Sequence, residues 1–328
     1  MSVKRYELGE KLGEGQMTVG VFRAKHRDLG TDVAIKLLEL RHPDHRAWLL
    51  EECRRMAGIT SNEYIVRVLD SGDWDDDYVF LAVELCDGGS LEELCADGPL
   101  DPQTACRYVS DACRGLQHLH LEGMLHLDIR PANILLSDDK PKLADFGLAR
   151  PDGDAGMGTV YSPHVAPEVI ATMKGSAHAD QFSMAMTLGH LLSHGDFCAG
   201  PVPHPSDTKA WRQRPDLNTL ALHVPDKLRR VLGKATRFDP QNRYESVEEF
   251  KRHIDRATPA RAFMPGDDGS LVSTDGATII TRISKRTGCT VEVLINGRRR
   301  SADCRTGLTD EDADQHTRSL VTQHSYAL

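Results

Sequence analysis

The chain lacks any Cys-x-x-Cys pair: its eight cysteines stand at 53, 86, 95, 106, 113, 198, 289 and 304, several of them inside helical or strand patterns. That spacing suggests neither a zinc site nor a disulfide framework, and it favours a reducing compartment. Nowhere do eighteen consecutive apolar residues occur, and the start Met-Ser-Val-Lys-Arg-Tyr-Glu has no apolar core. A membrane span and a secretion signal are therefore not expected, and the expectation is a soluble, cytoplasmic protein. Nor is there a surplus of positive charge. The formal net charge is −9, and residues 257–328 hold nine Lys and Arg against nine Asp and Glu, so the acidic excess belongs to residues 1–256. An acidic main region argues against a nucleic-acid partner gripped through its phosphates.

What is present suffices for a folded core: 328 residues, 40% hydrophobic and 27% charged, with room for two or three domains. The first hundred residues alternate short β-rich runs with turns around one helical stretch, and helical patterns dominate from 101 onward. Val33-Ala34-Ile35-Lys36 reads as a strand whose period of two puts Ala34 and Lys36 on one face. Asp44 to Gly58 reads as a helix, on which Trp48, Leu49, Cys53, Met56 and Ile59 form a stripe with Glu52 near its centre and Glu51 off it. An acid on an apolar face needs a partner. Tyr78 to Leu85 reads as a buried strand running into Cys86-Asp87-Gly88-Gly89-Ser90-Leu91. Asp101-Pro102 is a good N-cap and first-turn pair for a helix reaching Gly123.

The chemistry concentrates in residues 126–150. His-Leu-Asp-Ile-Arg-Pro-Ala-Asn occupies 126–133 and Leu-Ala-Asp-Phe-Gly-Leu-Ala-Arg occupies 143–150. At this spacing the amide oxygen of Asn133 and the carboxylate of Asp145 can converge as hard oxygen ligands for a divalent cation. The run resembles the core of eukaryotic-like protein kinases of the bacterial serine/threonine type, whose pattern is His-Arg-Asp-x-x-x-x-Asn followed by Asp-Phe-Gly. Ala166-Pro167-Glu168, the Asp180-Gln181-Phe182-Ser183-Met184 run and Arg243 match further family positions, and the resemblance covers about residues 6–256.

The resemblance implies an α+β, bilobal fold: a kinase domain over 1–258, with a small β-rich lobe to about 86 and a larger helical lobe from about 87. It implies ATP and Mg²⁺, with Mn²⁺ as an alternative, and proteins bearing Ser or Thr as substrates, the chain itself included. In the family's roles, Lys36 anchors phosphates, Glu52 positions Lys36, Asp128 accepts the substrate proton, Arg130 stabilises transferred charge, and Asn133 and Asp145 bind metal. Leu12, Gly13, Gly15, Val21, Ala34, Val83, Glu84, Cys86 and Leu135 would surround the nucleotide. Asp180 would brace the catalytic loop, and Arg243 would pair with Glu168.

Some positions depart from the family. Thr18 stands where a third glycine is usual and Val21 comes one residue late, which a one-residue insertion with Gly20 taking over the close approach would reconcile. Leu127 replaces the usual arginine, Arg130 the usual lysine, and the run Tyr161-Ser162-Pro163-His164-Val165 stretches the substrate-reading loop by about two residues. A nucleotide-binding pseudokinase scaffold is the alternative reading, against which the intact Lys36, Asp128, Asn133 and Asp145 weigh.

The rest of the chain does not fit the resemblance. Residues 259–276, rich in Pro, Gly, Ser and Asp, read as a linker. Residues 277–328 read as a small ββ(β)α module, with strands at Ala277–Ile283 and Cys289–Ile295, a two-residue turn at Asn296-Gly297, and a short helix opened by Thr309 and Asp312. Such a module would serve to bind a regulatory or target protein. Arg298-Arg299-Arg300 reads as a solvated strand face.

Overall fold

The computed structural model describes residues 5–13, 18–40, 46, 59, 62–146, 149–151, 162–204, 207–212, 215–266, 268–286 and 288–326. Five antiparallel strands open the chain: β1 Tyr6–Gly13, β2 Thr18–His26, β3 Asp32–Glu39, β4 Val68–Asp73 and β5 Tyr78–Glu84, ordered β1-β2-β3-β5-β4. Strand β3 is central and buried on both faces, whereas β1 at the edge is exposed along most of its length. Tyr6, Ala24, Val33, Ile35, Leu37, Phe80 and Ala82 pack together on one face, with Phe22 and Trp74 against them. Register puts Val21 opposite Lys36, Lys36 opposite Leu81 and Ala34 opposite Val83, so these five share the other face. The helix expected over 44–58, Glu52 and Gly15 lie outside the described residues.

The insertion expected in the glycine-rich turn is accommodated by a bulge. Thr18 pairs with Leu38 and Gly20 with Leu37, which leaves Val19 as an extra residue on β2. Gly20 sits at φ +156, and a Cβ there would come within 2.7 Å of the Lys11 side chain. A residue with a side chain would be strained at that φ, and the flexible end of Lys11 would have to move aside.

A short helix α1 (Leu91–Leu94) follows the fifth strand, capped by Ser90 and Glu93 reciprocally. Helix α2 (Pro102–Leu121) starts where Asp101 accepts from the backbone N–H groups of Gln103 and Thr104, and it buries Tyr108, Ala112, Leu116 and Leu119. After it come strands β6 Met124–Leu125, β7 Ile134–Ser137, β8 Lys140–Leu143 and β9 Arg150–Pro151, then helices α3 Pro167–Thr172, α4 Ala177–Ser193, α5 Thr208–Arg212, α6 Asp226–Ala235 and α7 Val247–Ala257. Helix α4 is apolar almost all round and buried along most of its length, the pattern of a helix at the centre of a lobe.

The final segment differs from expectation in two respects. Residues 259–276 are not a plain linker, because they carry strands β10 Phe263–Pro265 and β11 Leu271–Ser273, and Phe263 is fully buried. Those strands join β12 Thr278–Lys285, β13 Gly288–Ile295, β14 Arg298–Arg299 and β15 Arg305–Leu308 in one six-stranded sheet, so the module exceeds ββ(β)α. Three-residue strands between Gly-rich turns give too short a run for alternation to register in sequence. The turn at Asn296-Gly297 has positive φ at both residues, as a two-residue hairpin demands. Helix α8 is capped by Thr309 as expected but runs for 16 residues, Asp310–Ser325.

This segment packs on the large lobe as well as on itself. Gln103 donates to Ala260 O at 2.9 Å and Asp226 N to Thr322 Oγ1 at 3.0 Å. The Tyr326 hydroxyl donates to Ala257 O, the Lys227 ammonium lies 3.8 Å from the Tyr326 ring centre, and Leu222 packs against the tail's apolar core.

Candidate active site

A hairpin gathers the polar residues of the 126–150 run. Strand β7 pairs with β8 through Ile134 opposite Leu143, and Ala144 N donates to Asn133 O at 2.9 Å. Asn133 and Asp145 therefore flank the open end of one two-stranded ribbon, although eleven residues lie between them in sequence. Asn133 closes a 3₁₀ turn (Pro131–Asn133) and is buried, and its Nδ2 donates to Asp128 O at 2.8 Å and to Asp128 Oδ2 at 2.7 Å. With both amide hydrogens used on Asp128, Asn133 Oδ1 is left as an acceptor for something else. Arg130 Nε stands 3.9 Å from Asp128 Oδ1, a loose ion pair on a half-exposed side chain.

Backbone anchors hold this loop from below. Asp180, fully buried at the start of α4, accepts from His126 N at 2.9 Å, Leu127 N at 2.8 Å and the His120 Nε2–H at 2.8 Å. The brace on the backbone is the one expected for this residue, whereas His120 is a partner that the sequence pattern did not single out. His126 accepts from Asp128 N through Nδ1, so its Nε2 carries the proton donated to Ala144 O at 3.1 Å. One imidazole thus ties the catalytic-loop motif to the residue before Asp145. Leu127 takes φ +63, is buried, and packs so tightly under Gly175 that a Cβ there would meet it at 2.5 Å.

Lys36 reaches across from the sheet: its Nζ lies 2.5 Å from Asp145 Oδ1, with the side chains 19% and 38% exposed. Asp145 is held at φ +57, an uncommon conformation for a non-glycine residue. Around this pair the sheet face presents Val21, buried Ala34 and half-buried Val83. Leu12, 43% exposed, and Gly13 end β1, and Gly13 pairs with Val21. Leu135 bridges to Ser90 from the large lobe. The Glu84 carboxylate accepts from Arg67 N at 2.7 Å and Lys142 Nζ at 2.9 Å, so its side chain is engaged in holding the strand end. Burial and the neighbouring Glu84 charge push the Cys86 thiol up to about 11, which keeps it protonated and unreactive near neutral pH.

At the far end of the lobe, Arg243 and Glu168 form a bidentate pair with both contacts at 2.7 Å. The remaining Arg243 donors go to Arg237 O, His178 O and Phe238 O, so all five N–H groups of a buried guanidinium are satisfied.

This arrangement agrees with what comparison with known proteins finds. The model of the protein kinase domain matches residues 6–253. The chain belongs to the protein kinase family. Within it, similar curated proteins include bacterial serine/threonine kinases. Serine/threonine-protein kinase PknB of Mycolicibacterium smegmatis is 29% identical over 274 residues, covering 79% of this chain and 44% of the relative. PknB of Mycobacterium leprae is 30% identical over 270 residues (77% and 43%), and PknJ of Mycobacterium bovis is 31% identical over 262 (75% and 44%). The chain spans less than half the length of these relatives. Among the described residues of this kinase-family chain, no helix is long and apolar enough to cross a membrane.

Proposed function

We propose that this chain is an ATP-dependent serine/threonine protein kinase, which transfers the γ-phosphate of Mg-ATP to protein hydroxyls. The observation that carries the reading is the pair of hydrogen bonds from Asn133 Nδ2 to Asp128, because it orients a carboxylate for proton acceptance and frees Asn133 Oδ1 for a cation. The hard-oxygen pair of Asn133 Oδ1 and the Asp145 carboxylate fits Mg²⁺, and Mn²⁺ by the same donor preference. When bound, the cation would neutralise charge on the phosphates as the γ-phosphoryl group leaves. Lys36, now on Asp145, would anchor the same phosphates. Asp128 would orient the substrate hydroxyl and take its proton, with Arg130 supplying a nearby positive charge. Val21, Ala34, Val83 and Leu135 would enclose the adenine, and the backbone at Glu84 and Cys86 would bond its edge.

In this reading residues 1–258 form the kinase domain, and the C-terminal sheet and helix form a module for a regulatory or target protein. The test is transfer from labelled ATP to a generic basic protein with Mg²⁺, Mn²⁺ or neither. Asp128→Asn is expected to lower the rate on the order of 10²–10⁴-fold, the range for a lost general base. Equal rates for the variant and the parent chain, or transfer that persists without a divalent cation, would overturn the assignment.

A further inference from the structure

On the side of the large lobe, three side chains from distant parts of the chain converge. His164 lies in the turn ahead of α3, where Val165 N donates to Ser162 O at 3.0 Å and His164 N to Ser162 Oγ at 3.3 Å. His190 is on the last turn of α4, and Cys198 ends the 3₁₀ turn Asp196–Cys198 that follows it. Their donor atoms all lie within 4.8 Å of one another. Cys198 Sγ is 3.6 Å from His164 Nε2, and the two imidazoles stack at 5.3 Å between centres. His164 and Cys198 are buried, and the Nδ1 of His190 is inaccessible to solvent and has no hydrogen-bond partner among the described residues.

From this geometry we infer a zinc site formed by His164, His190 and Cys198. Tetrahedral zinc with bonds of about 2.3 Å to sulfur and about 2.0–2.1 Å to nitrogen requires an S···N edge of roughly 3.6 Å. The Cys198–His164 separation already has that length. Two imidazoles and a thiolate are a borderline-soft set that selects against Mg²⁺ and Ca²⁺ and suits Zn²⁺. Within the described residues no carboxylate joins the cluster, so the ligand set on the page is two imidazoles and one thiolate. Binding forms a Zn–S bond and sends the thiol proton, now directed at Met186 O, to solvent, with no change of oxidation state.

A zinc ion here would staple the Ser162–Val165 turn to α4. That turn belongs to the run Tyr161-Ser162-Pro163-His164-Val165, which departs from the usual spacing of the family and contains His164. The functional consequence rests on the kinase reading, in which this loop meets the protein substrate: removing the metal raises the KM for a protein substrate more than it lowers kcat. Metal binding itself is independent of that reading.

The experiment uses the full chain purified without a histidine tag. After dialysis, the parent chain is expected to retain one zinc per chain, and the cobalt-exchanged protein is expected to show the near-ultraviolet thiolate-to-cobalt charge-transfer band. Cys198→Ser should abolish the band, and both it and His164→Gln should weaken zinc binding on the order of 100-fold or more. No zinc uptake by the folded parent chain, no thiolate band, copper retained in place of zinc, or full zinc retention by folded Cys198→Ser would each overturn the site. A zinc site confirmed in a chain that transfers no phosphate would leave the site standing and remove only its link to substrate binding. An unchanged KM in an active, metal-free chain would likewise remove that link alone.

Discussion

Asp180 and Asp145 carry the same side chain in the same region of the molecule, and their surroundings are opposites. Asp180 has no exposed surface and receives three donors, two of them backbone N–H groups that are themselves buried. Asp145 is 38% exposed, sits at positive φ, and holds a lysine from the other lobe at 2.5 Å. A carboxylate of the first kind cannot change partners without leaving buried donors bare, which makes it a fixed point of the scaffold. One of the second kind can exchange an ammonium for a metal ion at small cost in desolvation. The Arg243–Glu168 pair is of the same fixed kind as Asp180, and it is Asp180 that holds the backbone leading into Asp128.

That contrast can be broken experimentally from either side. Asp180→Ala should remove roughly 3–5 kcal/mol of stability, since two buried backbone donors and an imidazole lose their acceptor. Urea unfolding would measure it, and a loss below about 1 kcal/mol would mean that Asp180 is not the fixed point described. Asp145→Asn should instead leave the unfolding midpoint nearly unchanged while lowering the rate of phosphate transfer about 10²–10³-fold, the scale of a lost electrostatic group. Parallel loss of stability and rate would place Asp145 among the braces.

A third test concerns a buried group with no ion pair among the described residues. His223 has no exposed surface, neither ring nitrogen has a hydrogen-bond partner among the described residues, and burial followed by the Arg229 charge lowers its pKa to about 4. An unfolded histidine titrates near 6.5, so the unfolded chain takes up the proton first as pH falls. The contribution of neutral His223 is therefore whole above about pH 6.5 and is lost as pH drops toward 4, by up to roughly 3 kcal/mol. His223→Leu should flatten that part of the stability profile. A slope between pH 6.5 and 4 that is identical in parent and variant would rule out His223 as its source.

The smallest effect expected is none. In relatives with arginine beside the catalytic aspartate, a phosphorylated loop residue satisfies that charge. Here the position is Leu127, buried against Gly175, with no charge to satisfy. Phosphatase treatment, and a Tyr161→Phe/Ser162→Ala double substitution, should each change the initial rate less than about twofold by this argument. A lag or a tenfold loss would show that loop phosphorylation controls the chain after all.

Much of the site was legible because its residues are close in sequence. Asp128, Asn133 and Asp145 fall within eighteen positions in an order that resembles the family motif, and the hairpin that joins them, Ile134 to Leu143, is what the structure adds. The Glu168–Arg243 pair spans 75 positions and was legible only through resemblance to a family. No local pattern announces His164, His190 and Cys198, which lie on three elements, and reading cysteine spacing by itself pointed away from a metal. The strands at 263–265 and 271–273 were hidden for another reason: they are too short to alternate visibly, and their turns carry the Gly, Ser and Asp that also mark linkers. The contacts of Tyr326 and Thr322 with α6 and the end of α7 likewise had no signature in sequence, so removal of the tail would uncover the large lobe and not merely shorten the chain.

The bulge at Val19 bears on how this chain tolerates changes in length. In a regular ladder, adding or deleting one residue rotates every later side chain to the opposite face. A bulged residue is surplus to the pairing, and Val19 is both unpaired with β3 and 44% exposed. Its loss or duplication would alter the turn ahead of it and leave Val21, Ala34 and Lys36 facing the cleft. Homologous chains that differ here by a single residue are therefore expected to keep Val21, Ala34 and Lys36 on one face, and the third glycine of the family pattern can drift along the chain without carrying the lysine with it.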